Sequence, residues 1–181
     1  KLYRNNKNLS DIENFSINGN EVVFGTIGDA STSEGHFWEA INACGVLQVP
    51  LIMSIWDDGY GISVPSEYHT TRNDLSKALS GFQRSSKKEN GYEIFTVHAW
   101  DYINLLKTYQ KADKLAREDH VPCIIHVKDV TQPQGHTTSG SHERYKSKER
   151  LNWEKDFCCI KRMREWIIEN NFASNSEIDI I

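Results

Sequence analysis

Acidic and small residues collect in two short stretches. Gly28-Asp29-Ala30-Ser31 follows the apolar run at residues 22–27, and Asp57-Asp58-Gly59-Tyr60-Gly61 follows the apolar run at 51–56. Small residues at 28, 30 and 31 leave backbone N–H groups open at the start of a helix, which suits an anion. Asp29 in the same turn would repel a phosphate unless a cation lies between them. Mg²⁺ meets that need, because it takes oxygen ligands, commonly one or two carboxylates plus substrate phosphate oxygens. A carboxylate from the Asp57-Asp58 pair and a carbonyl from the 59–61 turn would complete the protein's share. The plainer reading is that Gly-Asp and Asp-Asp-Gly are turn chemistry alone, and that His136 in its polar loop is merely solvated. Convergence of the groups in space separates the two readings.

The positioning elements can be read from periodicity. Residues 22–27 (VVFGTI), 51–56 (LIMSIW), 94–97 (IFTV) and 123–130 (CIIHVKDV) are apolar runs, not alternating ones. That pattern predicts strands covered on both faces of a parallel sheet. Phe37, Ala40, Ile41, Cys44 and Leu47 recur at helical spacing behind a capping box over 31–34. Leu105, Tyr109, Ala112 and Ala116 mark a second helix with Asp101 as its N-cap. The order predicts an α/β fold, an open and mostly parallel sheet with helices on both faces. Ligands of such sheets sit beyond the carboxyl ends of the strands. Asp29, Asp57, Asp58, His98, Asp101 and His136 would then share one edge.

Beyond the fourth strand, residues 131–148 lack any apolar period and predict an exposed, mobile loop. Trp153, Phe157, Ile160, Met163 and Ile167 predict one last amphipathic helix, and the tail from 170 is expected to be loosely ordered. The organisation reads as an upstream connector (1–20), one α/β domain including the loop (21–150), and its C-terminal helix and tail (151–181). The opening residues read as internal, so the chain is expected to be a piece of a longer protein. A net charge of −4 with scattered bases gives no footprint for nucleic acid. No apolar run approaches the roughly 20 residues of a membrane helix. Four cysteines without a CxxC argue against a disulfide scaffold and predict a reducing, cytoplasmic setting.

The paired stretches resemble the thiamine diphosphate motif, GDG followed after an interval in the mid-twenties by NN. Here 26 residues, 31–56, separate Ala30 from Asp57. More specifically, residues 28–65 resemble the alpha part of the decarboxylating component of 2-oxo acid dehydrogenase complexes. Gly35, Glu39-Ala40, Asn42 and Pro50 stand where that family has a later Gly, a Glu-Ala, an Asn and a Pro. The stretch GHTTSGSHERYKS is similar to its GH-plus-serines loop ending in a Tyr-basic pair, and VHAWD to its Val-Asp-Gly-x-Asp turn. The likeness covers roughly residues 20–155, and GYGIS-x-P leans toward the branched-chain (2-oxoisovalerate) members.

The resemblance implies roles. Asp29, Asp58 and the Tyr60 carbonyl would hold Mg²⁺, and Gly28, Ala30 and Ser31 would contact the diphosphate of thiamine diphosphate. Gly61 and Ile62 would lie near the cofactor, and His136 would reach it as the catalytic residue that helps pass an acyl group to a lipoyl arm. The chain departs from the family at three places. Ala30 replaces the glycine at the motif's third position, and Gly140 stands where an acid is usual. Asp58 replaces asparagine, adding repulsion on the order of 3 kcal/mol at roughly 5 Å and a dielectric of about 20. That calls for a compensating base from outside this segment, or tighter metal binding. No glutamate here matches the one that contacts the aminopyrimidine. The implied partners are therefore a pyrimidine-binding, beta-type domain or subunit in a homo- or hetero-oligomer, and the lipoyl domain of the acyltransferase component. Two alternatives stay open: a transketolase-like enzyme with the same metal motif, and a Mg²⁺-dependent phosphoacceptor domain with Lys128 as its strand-end lysine.

Overall fold

The computed structural model describes residues 6–9, 12, 15–17, 19–136 and 141–180. Half of the upstream connector and residues 137–140 of the loop, Gly140 among them, therefore fall outside the described residues. The four apolar runs form strands β1 (Val23–Gly28), β2 (Leu51–Trp56), β5 (Glu93–His98) and β6 (Cys123–Lys128). All pair in parallel in the order β1-β2-β6-β5. A two-residue hairpin, β3 (Tyr60–Gly61) and β4 (Val64–Pro65), follows β2. The register sets Gly28 beside Trp56, Trp56 beside Val127, and His98 beside Lys128, so the carboxyl ends of all four strands are level. The last strand stops two residues before the expected 130 because Asp129 adopts a left-handed φ of 58°.

Alternation along the central strands feeds two cores. Ile55 and Ile124 meet Phe37 and Ile41 of helix α1 (Gly35–Leu47), with Leu75 of the short helix α2 (Leu75–Ala78), on one face. Ile52, Ile125 and Val127 meet Ala112 and Ala116 of α3 (Tyr102–Asp119) on the other. The sheet is thus flanked by helices as predicted, and Asp101 caps α3 by accepting from the Asn104 N–H. Coverage on both faces holds for β2 and β6 and fails for β1. There Val23 and Phe24 are each 56% exposed, because β1 is the edge strand and α3 lies over the other three.

Three local expectations need correction. The capping box over 31–34 does not form: residues 30–33 make a 3-10 turn, Glu34 precedes α1 without a side-chain cap, and the Ser33 hydroxyl donates instead to the His69 carbonyl. The buried stripe of α1 runs Phe37, Ile41, Gly45, and Leu47 stays exposed. Gly45 is where the Tyr92 ring packs, and the Tyr92 hydroxyl donates to the Ile41 carbonyl at 2.7 Å.

The single C-terminal helix is in fact two, α4 (Lys148–Asp156) and α5 (Cys159–Glu169). Cys158 is extended at the break, where Phe157 stacks on Trp153 and packs on Trp100. Ile160 consequently faces solvent. The tail carries a further turn of helix, α6 (Asn175–Ile178), closed by a Ser174–Glu177 capping box and tied to α5 through Arg164 and Asp179.

Tyr92→Phe removes only the bond to α1. It is expected to cost about 1 kcal/mol and lower the Tm by about 2–4 °C in thermal unfolding followed by circular dichroism. An unchanged Tm would mean that ring packing alone holds α1.

Candidate functional site

The loops after β1 and β2 are built by backbone bonding before any side chain acts. The Asp29 N–H extends the ladder to the Trp56 carbonyl, and the Asp29 carbonyl accepts from both the N–H and the hydroxyl of buried Thr32. After β2, Asp57 donates to the Val127 carbonyl and accepts from Val130. Its Oδ1 accepts from the Gly59 N–H at 2.9 Å, and the Asp58 Oδ1 accepts from the Tyr60 N–H at 3.1 Å. Gly59 sits at φ 79°, which only glycine adopts freely. Both aspartates therefore do turn chemistry, as the plain reading held.

They also converge with the rest. Gly28, Asp29, Ala30, Ser31, Asp58, Tyr60, Gly61, Ile62 and His136 all line one cavity of about 370 Å³, together with Trp56 and Gln132. The two loops touch at its floor: a Cβ on Gly61 would stand 2.9 Å from the Ala30 methyl. A Cβ on Gly28 would meet nothing within 4 Å. Ile62, a β-branched residue, holds φ 60° at the rim. His136 is exposed, and the Tyr145 hydroxyl meets its backbone.

Other strand-end groups stay away from the cavity. Asp57 turns to His126, His98 bonds Asp129 and stacks on Trp100, and Asp101 is spent as the α3 cap. Lys128 pairs with Asp74 at 3.2 Å, so the phosphoacceptor alternative loses its lysine.

The family model for the dehydrogenase E1 component matches residues 16–181. The chain belongs to the dehydrogenase E1 component family. Among similar proteins, the pyruvate dehydrogenase E1 component subunit alpha of Rickettsia bellii is 26% identical over 159 residues, 88% of this chain and 46% of its own. Its Rickettsia prowazekii counterpart is 25% identical over 162 residues, 90% of this chain and 47% of its own. The mitochondrial 2-oxoisovalerate dehydrogenase subunit alpha of Homo sapiens is 25% identical over 157 residues, 86% of this chain and 33% of its own. The chain spans half or less of the length of these relatives, which fits a fragment. Both substrate types are represented, which is compatible with the branched-chain lean of the GYGIS stretch.

Electrostatics make the E1 cavity unusual. Asp29 is 4% exposed, and its Oδ2 has no hydrogen-bond partner among the described residues. Burial, then the charges of Asp57 and Asp58, push its carboxyl up to about 7. Burial also opposes the charge of Asp57, but the hydrogen bond and charge of His126 outweigh it and hold that carboxyl below its usual value. His126 itself is fully buried on the central strand β6 and bonds Asp57 at 2.7 Å and Ser76 at 2.6 Å. Asp58 is pushed up by burial, against the Tyr60 N–H and the charges of Lys146 and Arg150.

Among the described residues no three His, Cys, Asp or Glu side chains form a metal cage. An orphaned, buried carboxylate oxygen beside a second carboxylate nevertheless fits a hard divalent ion that takes its remaining ligands from phosphate and water.

Two bases of the chain itself lie near Asp58, where the sequence pointed to one from outside or to tighter metal binding. Lys146 lies at the end of the loop and Arg150 in α4, and Arg150 Nη2 donates to the Asp58 carbonyl at 2.7 Å. Neither they nor His126 stood out in the sequence. A lone histidine amid CIIHVKDV and the run YKSKER were the available signals, and the second reads as solvated charge until Glu154 is seen buried between its bases.

The sign of the Asp29 shift can be tested on metal-free protein. With its carboxyl at about 7 folded and near 3.8 unfolded, the folded chain holds an extra proton between those values, so stability falls as pH rises through that window. Asp29→Asn cannot ionise. It should raise the Tm by about 5 °C or more at pH 8 and change it little at pH 4, as calorimetry in chelator-treated buffer can show. Equal shifts at both pH values would mean that Asp29 is not held near neutrality.

Proposed function

We propose that this chain is the diphosphate- and Mg²⁺-binding part of a thiamine diphosphate-dependent 2-oxo acid dehydrogenase. The enzyme would oxidatively decarboxylate a 2-oxo acid, with a branched-chain lean, and pass the acyl group to lipoamide. The observation that carries the reading is the cavity: the nine residues picked out by motif surround it, with the unpaired Asp29 oxygen buried at the strand ends. Asp29, Asp58 and the Tyr60 carbonyl would hold the metal. Gly28, Ala30 and Ser31 would bring backbone N–H groups to the diphosphate. Bound thiamine diphosphate supplies the carbanion-stabilising thiazolium.

The chain's own residues hold and neutralise. Ala30 and Gly61 set the spacing of the two loops, and Trp56 shields one wall, its indole fixed by a bond to Ser54, which in turn meets Tyr109 of α3. His136, exposed and lining the cavity, would reach an acyl group and an incoming lipoyl arm. The base that activates the cofactor would come from a beta-type, pyrimidine-binding domain or subunit, so the chain alone should not turn over. The cysteine usage of the sequence is the basis for proposing a reducing, cytoplasmic setting.

Titration calorimetry tests the assignment on the assembled enzyme. Thiamine diphosphate should bind only with Mg²⁺ present, and Asp29→Ala should weaken it about a hundredfold, the roughly 3 kcal/mol of one charged contact. Binding that survives chelator, or ignores that substitution, would overturn the metal-site assignment.

A further inference from the structure

The motif that this chain resembles has a neutral asparagine where Asp58 stands, and the extra charge lies beside the place proposed for a diphosphate. Residues 146–154 answer it. Arg150 donates through Nη2 to the Asp58 carbonyl at 2.7 Å and through Nε to Glu154 Oε1 at 2.8 Å. Its guanidinium lies over the rings of Trp153 (4.7 Å) and Tyr60 (5.6 Å). Lys146 shares the same Glu154 oxygen at 2.7 Å and lies 5.0 Å from the centre of the same Tyr60 ring.

Two cations and one anion leave a net charge of +1 against the turn that carries Asp58. Lys146 is 5% exposed and Glu154 0%, so solvent screens this cluster poorly. Buried ion clusters are weak sources of stability, since apolar side chains often replace them without loss. The Arg150 guanidinium bonds a carboxylate and a carbonyl and lies over two rings, which fixes where its charge sits.

We propose that the Lys146–Arg150–Glu154 cluster is a built-in counter-charge for Asp58, with Arg150 the positioning residue that lets a carboxylate serve in a turn that must also accept a diphosphate. The inference rests on the proposed function and extends it to a group outside the motif.

The sign of the effect separates this role from simple support. Without the Arg150 charge the turn attracts Mg²⁺ at least as strongly and a diphosphate less, whereas a loosened turn loses both. The assembled apo-enzyme would be titrated with Mg²⁺ alone, and with inorganic pyrophosphate at saturating Mg²⁺. Arg150→Gln should weaken pyrophosphate about tenfold, the effect of one partly screened charge, and leave Mg²⁺ affinity equal or tighter. Arg150→Lys should keep pyrophosphate affinity within about threefold of wild type, because the charge remains. In an Asp58→Asn background the Arg150→Gln loss should shrink to within about threefold, as a coupled pair requires.

Loss of both affinities, or the same pyrophosphate loss in both backgrounds, would overturn the proposal. If the wild type binds neither probe, the metal-site reading fails by itself, and thermal unfolding of the same four variants still decides the pair. A larger fall in Tm from Arg150→Gln with Asp58 present than with Asn would uphold it, and equal falls would overturn it.

Discussion

Asp29 is a carboxylate with nowhere to put its charge, and the surrounding structure makes that so. Parallel pairing levels the ends of β1 and β2, so the acid that ends the first strand is pressed toward the two that end the second. Each strand is held in place by its core: Ile55 and Ile124 against α1, Ile52 and Ile125 against α3. A sheet clamped in this way cannot splay its loops to relieve repulsion, and an unpaired buried charge costs several kcal/mol. Under the proposed function, a bound cation would relieve that frustration, so stability given up at one place would serve binding there.

The remaining two acids are treated differently, although they are neighbours in sequence. Asp57 bonds His126, whose other ring nitrogen bonds Ser76, and its carboxyl also meets that of Asp29. Asp58 turns outward to the cavity, its backbone held from the other side by Arg150. An i, i+1 pair in a tight turn points its side chains apart, so one acid serves the core and the other the site. Tyr60 is gripped between the two regions, with its ring under Lys146 and Arg150 and its N–H on Asp58. The candidate site is thus tied to a helix residue 92 positions further along the chain as well as to its own motif.

Much of this was legible in the sequence, and the reasons for the rest are specific. Apolar runs located all four strands, and the Asp101 cap began α3 as read. The cavity residues were named through the family resemblance, because small and acidic types at strand ends are by themselves ordinary turn chemistry. Arg150 was missed because surface-looking charge runs are usually solvated, and only tertiary placement shows that Glu154 is buried at its centre. His126 was hidden by its strand, since a polar residue in an apolar run carries no mark of its partner. The C-terminal stripe misled because it counted Phe157 and Ile160 on one face. Aromatic stacking on Trp100 outweighed helix continuity, so the chain bends there.

The contact between Ala30 and Gly61 has a consequence for the order in which this sequence could have been assembled. With 2.9 Å separating the Ala30 methyl from any Cβ at position 61, the two positions cannot both carry side chains without moving a loop. An alanine at 30 is admissible only on a background where 61 is already glycine. Once it is in place, position 61 loses its freedom to change. The substitution works as a ratchet: a single methyl group, harmless when acquired, commits a residue thirty-one places away and makes the path back pass through position 30 first.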